Sequence, residues 1–161
     1  PQGGAKKARG QIRFYQSTSK LPLIPANVEV LEDKIIGDDR VFRIAIAPQR
    51  ATNMIQLATY NELYIKNLVI NGQKVEKNGE HYNRRIKARL FFKYVVSQPN
   101  EKVTIDFVVA NNSELKLKVF ETTYDIFKQL PEIKPRADLY MPEPFDVNDA
   151  TIIGQSIKFD K

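Results

Sequence analysis

The side chains that could do chemistry in this chain are few: one histidine, His81, no cysteine, and nineteen carboxylates spread over 161 residues. A zinc site built from them would need carboxylates for nearly all its ligands, because imidazole and thiolate, the usual zinc donors, are almost missing. Hydrolysis by a Ser-His-Asp set would have to use that same histidine, and no Gly-x-Ser-x-Gly turn is present to lift a serine out of a strand. His81 stands in the polar stretch Gly79-Glu80-His81-Tyr82-Asn83 and reads as a solvated loop residue. A glycosidase needs only two carboxylates. Alternation, however, assigns acids such as Asp106 and Glu114 to the solvent face of strands. Phosphate-cradling loops of the Gly-x-x-x-x-Gly-Lys and Gly-x-Gly-x-x-Gly kinds are absent.

The basic and aromatic run Arg84-Arg85-Ile86-Lys87-Ala88-Arg89-Leu90-Phe91-Phe92-Lys93-Tyr94 resembles an RNA-binding strand with stacking rings but lacks its glycines. Charge distribution argues the same way. Of the net charge of +6, Lys6, Lys7, Arg9, Arg13 and Lys20 supply five within the first twenty residues, where there is no acid. The remaining 141 residues carry 20 basic and 19 acidic side chains, so the globular part is close to neutral and no nucleic-acid partner is expected. Asn111-Asn112-Ser113 matches a glycosylation acceptor, which matters in a eukaryotic secretory chain.

These residues must be positioned by a scaffold, and composition allows one. A hydrophobic content of 42% with nine Phe and seven Tyr is enough for a packed core in a single domain. Residues 1–21, Gly-rich and basic, read as a flexible leader, although Ile12, Phe14 and Tyr15 could add a weak strand; residues 22–161 read as the domain. The chain opens at Pro1 without an initiator methionine or an apolar signal stretch, which suggests a piece or processed form of something longer. Apolar runs such as Phe107-Val108-Val109-Ala110 reach four residues, against roughly 20 for a membrane-spanning helix. Zero cysteines leave the redox compartment open.

The dominant period is two. In residues 102–120, Val103, Ile105, Phe107 and Val109 alternate with polar neighbours, as do Leu115, Leu117 and Val119, and the two runs across Asn111-Asn112-Ser113 predict a β-hairpin. Strands are predicted over residues 28–36, 40–47 (Phe42, Ile44 and Ile46 on one face), 54–60 and 62–70. Asn71-Gly72 then predicts a tight hairpin back through Gln73-Lys74-Val75. Residues 77–83 read as a polar loop. Residues 84–96 fit either period, with strand favoured from Leu90 by aromatic and β-branched content. Pro131, Pro135, Pro142 and Pro144 make the following segment a long irregular strap, and residues 151–159 read as a closing strand. The sum is an all-β chain, an antiparallel β-sandwich of about eight or nine strands with a Pro-rich strap near its C-terminus.

The C-terminal third carries a motif: Arg136-Ala137-Asp138, Met141-Pro142, Phe145, then Asp149-Ala150-Thr151-Ile152-Ile153 and Ile157-Lys158-Phe159. This resembles the closing segment of the extracytoplasmic C-terminal domain in membrane-embedded zinc exopeptidases, the aminopeptidase-type family that includes endoplasmic reticulum metallopeptidase and vacuolar membrane protease. The resemblance extends over residues 25–159 through the proline-led strand with Glu32-Asp33, the Asn71-Gly72 hairpin and the aromatic and alternating strands of residues 90–109. Two departures stand out. Thr123-Tyr124-Asp125-Ile126-Phe127 occupies the place of a glycine- and proline-bearing stretch in the family, and Ala137 replaces the usual proline after the motif arginine.

The resemblance implies a non-catalytic accessory domain that packs on a peptidase domain, caps its cleft or meets a protein or glycan partner. It implies zinc only for that peptidase part, with no catalytic, cofactor or metal residue in this segment. It also implies an extracytoplasmic location, periplasmic, lumenal or at the cell surface, within a membrane protein. Arg136, Asp138, Met141, Pro142, Phe145, Asp149 and Thr151 would then serve the fold. The alternative is a free-standing extracytoplasmic module that binds glycan or protein, since sandwiches host many functions.

Overall fold

The structure, a computed structural model, describes residues 3–8, 11–17, 20–87, 90–135, 137–139 and 147–159. It is built from antiparallel β-sheets. The larger one contains β3 (Asn27–Ile36), β4 (Asp39–Ala47), β6 (Glu62–Ile70), β7 (Gln73–Lys74), β10 (Arg84–Lys87) and β12 (Val103–Ala110), in the order β10-β6-β12-β4-β3 with β7 also on β6. A four-stranded sheet contains β5 (Met54–Thr59), β11 (Leu90–Val95), β13 (Leu117–Thr123) and β14 (Thr151–Ser156), in the order β11-β5-β13-β14. Two small hairpins complete the strands, β1 (Gly3–Ala8) with β2 (Gln11–Gln16) and β8 (Glu76–Lys77) with β9 (Glu80–His81). The first pairs within residues 1–21, where the sequence reading is a leader with a weak strand at Ile12–Tyr15.

The alternation found in the sequence is what fills the interior. Phe42, Ile44 and Ile46 from β4, Ile55 and Leu57 from β5, Val103, Ile105, Phe107 and Val109 from β12, and Leu117 and Val119 from β13 are all buried in one hydrophobic cluster. Both sheets contribute to it. Phe42 stacks on Phe107, its cross-strand partner, with ring centroids 5.3 Å apart. Such a pair adds roughly 0.5–1.5 kcal/mol beyond the area it buries. No helix among the described residues is long and apolar enough to cross a membrane.

The hairpin expected over residues 102–120 is overturned. The runs on either side of Asn111-Asn112-Ser113 do not form a hairpin: β12 pairs with β4 and β6, whereas β13 pairs with β5 and β14 in the other sheet. A two-residue period says that a strand has one buried face; it does not say which strand lies beside it. The polar connection is fastened at both ends. Asn111 donates from its backbone to the Asp38 carbonyl (2.9 Å) and from its side chain to the Gly37 carbonyl (3.0 Å). Asn61 then donates to the Glu114 carbonyl (2.6 Å) and the Tyr60 amide to the Lys116 carbonyl (3.0 Å), handing the chain to the second sheet.

The other elements resolve ambiguities of the sequence. Asn71 and Gly72 take φ of 49° and 77°, the paired positive values of a tight hairpin turn, between Ile70 and its partner Gln73. The stretch 84–96 is strand on both sides of residues 88–89, with β10 on β6 and β11 on β5. The spacing of Ile86, Leu90 and Tyr94 fits a helix, but an even spacing also keeps residues on one face of a strand, so it could not discriminate. The stretch 77–83, expected as loop, takes in most of the small hairpin of β8 and β9 about Asn78-Gly79, both at positive φ. The same Asn-Gly signal that marked the earlier turn was present there. Past β13 a single helical turn, α1 (Ile126–Gln129), precedes described residues 130–135 and 137–139, which form neither helix nor strand.

Candidate functional site

Thr151, one of the motif residues, meets segments distant in the chain. It is buried at the start of β14, opposite Thr123 of β13. Its hydroxyl donates to Oδ1 of Asp125 (2.5 Å), and Nη2 of Arg50 lies 2.5 Å from the same hydroxyl and 2.8 Å from Oδ2 of Asp125. Gln129 of α1 donates to Asp125 as well (2.8 Å). Three chain segments more than 20 residues apart are thereby joined: the loop before β5, the end of β13 and the start of β14. Burial pushes the Asp125 carboxyl up, but the hydrogen bonds from Thr151, Gln129 and Arg50, with the arginine's charge, outweigh it and leave it below its ordinary value. Nη1 of Arg50 is buried without a hydrogen-bond partner.

Chemically this cluster holds rather than reacts. The Thr151 hydroxyl is occupied as donor and as acceptor, the carboxylate is kept ionised by an arginine, and no imidazole adjoins it to take a proton. Asp149 precedes it at φ 55°, half-buried, and its carbonyl accepts the Ile126 amide (3.3 Å). Asp138 lies exposed in a turn. Arg136, Met141, Pro142 and Phe145 lie outside the described residues.

A second polar site is wholly interior. Glu121 follows Leu117 and Val119 in the inward register of β13 and is fully buried. Oε2 accepts the backbone N–H of Ala26 (2.5 Å) and Oε1 the hydroxyl of Thr52 (3.1 Å). Gln155 donates to the Ala26 carbonyl (2.8 Å) and Gln49 to that of Pro25 (3.0 Å), so the segment leading into β3 is fixed by three side chains. Neither Arg50 nor Glu121 emerged from sequence reasoning. For Glu121 the signal existed, an acid at a buried position of an alternating run; for Arg50 there was none.

The other sequence candidates fall apart spatially. Among the described residues no three His, Cys, Asp or Glu side chains gather as a metal site. His81, expected as a solvated loop residue, is instead half-buried on β9 opposite Glu76, its Nδ1 buried without a hydrogen-bond partner among the described residues. Asp106 pairs with its cross-strand neighbour Arg43 (2.5 Å), and Glu114 with Lys116 (2.9 Å). Arg84, Arg85 and Lys87 sit in one sheet while Phe92, Lys93 and Tyr94 sit in the other, so the basic residues and the rings do not share a strand face.

What the surface does offer is a groove of about 1030 Å³ along β3, whose far wall is the chain from Gln155 to Lys158. β3 is the edge of its sheet and exposes Leu31, Ile35 and Ile36. Two of its three acids are engaged, Asp33 by Nε and Nη2 of Arg40 (2.7 and 2.6 Å) and Glu32 by Lys34 (2.7 Å), while Glu29 is exposed. The groove, whose lining includes Glu32 and Asp33 but not Glu29, thus presents backbone and apolar side chains beside paired charges. No protein family, curated protein or solved structure matches this chain.

Proposed function

We propose that this chain is a non-catalytic accessory domain of a membrane-anchored, zinc-dependent exopeptidase, working by docking through the groove along β3. On this reading the two larger sheets are the faces of a β-sandwich, which their shared hydrophobic cluster supports, and the described residues 131–135 and 137–139 belong to its strap. The groove is the observation that carries the reading: among the described residues β3 is a ten-residue strand at the edge of its sheet, and such an edge suits pairing with an extended segment of a partner. One motif residue, Thr151, supports it by being tied to Arg50 and Asp125. The partner is the peptidase domain of the same polypeptide, zinc is bound there, and the location is extracytoplasmic.

The test uses the 161-residue chain and the gene product that encodes it. Elemental analysis after dialysis is expected to find no stoichiometric zinc in the chain, and aminopeptidase substrates are expected to remain uncut. A peptidase domain with a His/Asp/Glu zinc set is expected upstream, and removal of residues 22–161 is expected to lower its activity or stability. One equivalent of zinc in the isolated chain, or an upstream sequence with no such set, overturns the reading.

A free-standing binding module is favoured by a different feature. Tyr60, exposed, and Phe120 flank the ammonium of Lys118 at 5.9 and 5.3 Å, an aromatic and cationic surface of the kind that stacks on sugar rings. Saturable glycan binding lost in Tyr60→Ala would select this reading.

A further inference from the structure

Two turns of this chain use the same dipeptide in different surroundings. Asn71-Gly72 joins β6 to β7, and Asn78-Gly79 joins β8 to β9. All four residues are exposed and take positive φ, 49° and 77° in the first turn, 56° and 79° in the second. In a two-residue hairpin the N–H of the second turn residue faces no carbonyl, and neither the Gly72 nor the Gly79 N–H makes a hydrogen bond among the described residues. A methyl on either glycine would meet nothing within 4 Å, so both backbone nitrogens stand in open space.

The two asparagine side chains differ. Nδ2 of Asn71 donates to the Tyr94 hydroxyl oxygen (3.2 Å), and Oδ1 accepts the Thr104 amide (2.8 Å). The Asn71 backbone N–H donates in turn to the Thr104 carbonyl (2.9 Å), and the Tyr94 hydroxyl is fixed by donating to Glu101. The Asn71 carboxamide therefore cannot swing onto the Gly72 nitrogen without giving up these bonds. The Asn78 carboxamide makes no hydrogen bond among the described residues and turns freely between rotamers. Asn67 and Asn100 also take positive φ, but Leu68 and Glu101 follow them and crowd the next backbone nitrogen.

We propose that Asn78 is a site of spontaneous deamidation in the folded protein and that Asn71, in the same dipeptide, is protected by its hydrogen bonds. The Gly79 backbone nitrogen attacks Cγ of Asn78, the bond from Cγ to Nδ2 breaks, and that nitrogen leaves as ammonia with the Gly79 proton. The product is a succinimide ring. Water then opens it at either carbonyl, leaving aspartate where the bond to Cγ breaks and isoaspartate where the bond to the main-chain carbonyl breaks. Both products add a carboxylate at the hairpin tip beside Glu80, and isoaspartate also inserts a methylene into a turn whose two residues set the register Lys77↔Glu80. This assignment is independent of any peptidase partner.

Incubation of the 161-residue chain at mildly alkaline pH in heavy-oxygen water, followed by tryptic mapping, separates the two sites, because Asn71 falls in the peptide 67–74 and Asn78 in the peptide 78–84. Oxygen uptake and isoaspartate, read by enzymatic methyl transfer, are expected in 78–84 about tenfold faster than in 67–74. In concentrated urea the two peptides are expected to react at similar rates, since the bonds that hold Asn71 are then gone. Tyr94→Phe is expected to speed the reaction at Asn71 in the folded chain and to leave Asn78 unchanged. Asn78→Gln is expected to abolish uptake in 78–84, which also separates Asn78 from Asn83 in the same peptide. No uptake in 78–84, an equal or faster reaction at Asn71 in the folded chain, a rate gap that persists in urea, or uptake that survives Asn78→Gln each overturn the proposal.

Discussion

Arg50 and Asp125, 75 positions apart in sequence, meet at 2.8 Å with only 11% and 15% of their side chains exposed, and Thr151 bridges them. The pair welds the closing strand to the loop before β5. Arg50→Ala removes the cation and leaves a carboxylate and a hydroxyl largely buried, so it is expected to lower unfolding free energy by about 2–3 kcal/mol. Urea denaturation checks this. A cost below about 0.5 kcal/mol would mean that solvent already screens the pair.

Acid should loosen the turn before β12. Glu101 is held down to about 2 from an ordinary 4.5 by the hydroxyls of Tyr94 and Ser97 and the Ser97 and Gln98 amides. A carboxyl whose folded value is depressed stabilises the protein above its unfolded value, and that contribution fades as pH falls toward the folded one. Asp125, also depressed, acts in the same direction. The melting-temperature difference between the parent chain and Glu101→Gln is therefore expected to be constant above about pH 5.5 and to shrink between about 4.5 and 2. A difference that grows on acidification would contradict the assignment.

Glu121 has a separate expected effect. Glu121→Ala orphans the Ala26 amide and the Thr52 hydroxyl inside the protein and is expected to cost about 2–3 kcal/mol. Thr52→Val removes one partner and should cost about 1 kcal/mol. Hydrogen exchange offers a local reading: the Ala26 amide should lose protection in Glu121→Ala while amides of β12 keep theirs. Retained protection at Ala26 would show that Gln155 and Gln49 alone hold that segment.

Two glycines are expected to resist substitution for different reasons. Gly72 has φ of 77° and nothing within 4 Å of the place a methyl would occupy, so Gly72→Ala costs only backbone strain, about 1 kcal/mol. Gly154 has an ordinary φ, but a methyl there would come within 2.8 Å of Lys118 Cε and 3.0 Å of the Phe120 ring. Both are side-chain atoms that can shift, so Gly154→Ala should cost less than Gly72→Ala, with a changed Phe120 ring resonance. Comparison of the two urea midpoints decides the order.

By itself the sequence determined the all-β character and the inward face of each main strand, because a two-residue period carries that information locally, but not the short hairpins β1–β2 and β8–β9. Phe42, Ile44 and Ile46, or Val103 through Val109, could point inward in no other way without exposing a full apolar face. It also determined the Asn71-Gly72 turn, since Asn and Gly together tolerate the two positive φ values that a tight hairpin requires. Partnership was decided only by the tertiary structure. β12 and β13 have the same pattern and adjoin in sequence, yet lie in different sheets, because two inward-facing strands can share a core without sharing hydrogen bonds. The same holds for the polar sites. Arg50 has no periodic neighbour to announce it, and its meeting with Asp125 and Thr151 exists only once β13 and β14 are in register. Side-chain periodicity is a property of a few consecutive residues, whereas a charge pair across 75 positions depends on where every intervening strand goes.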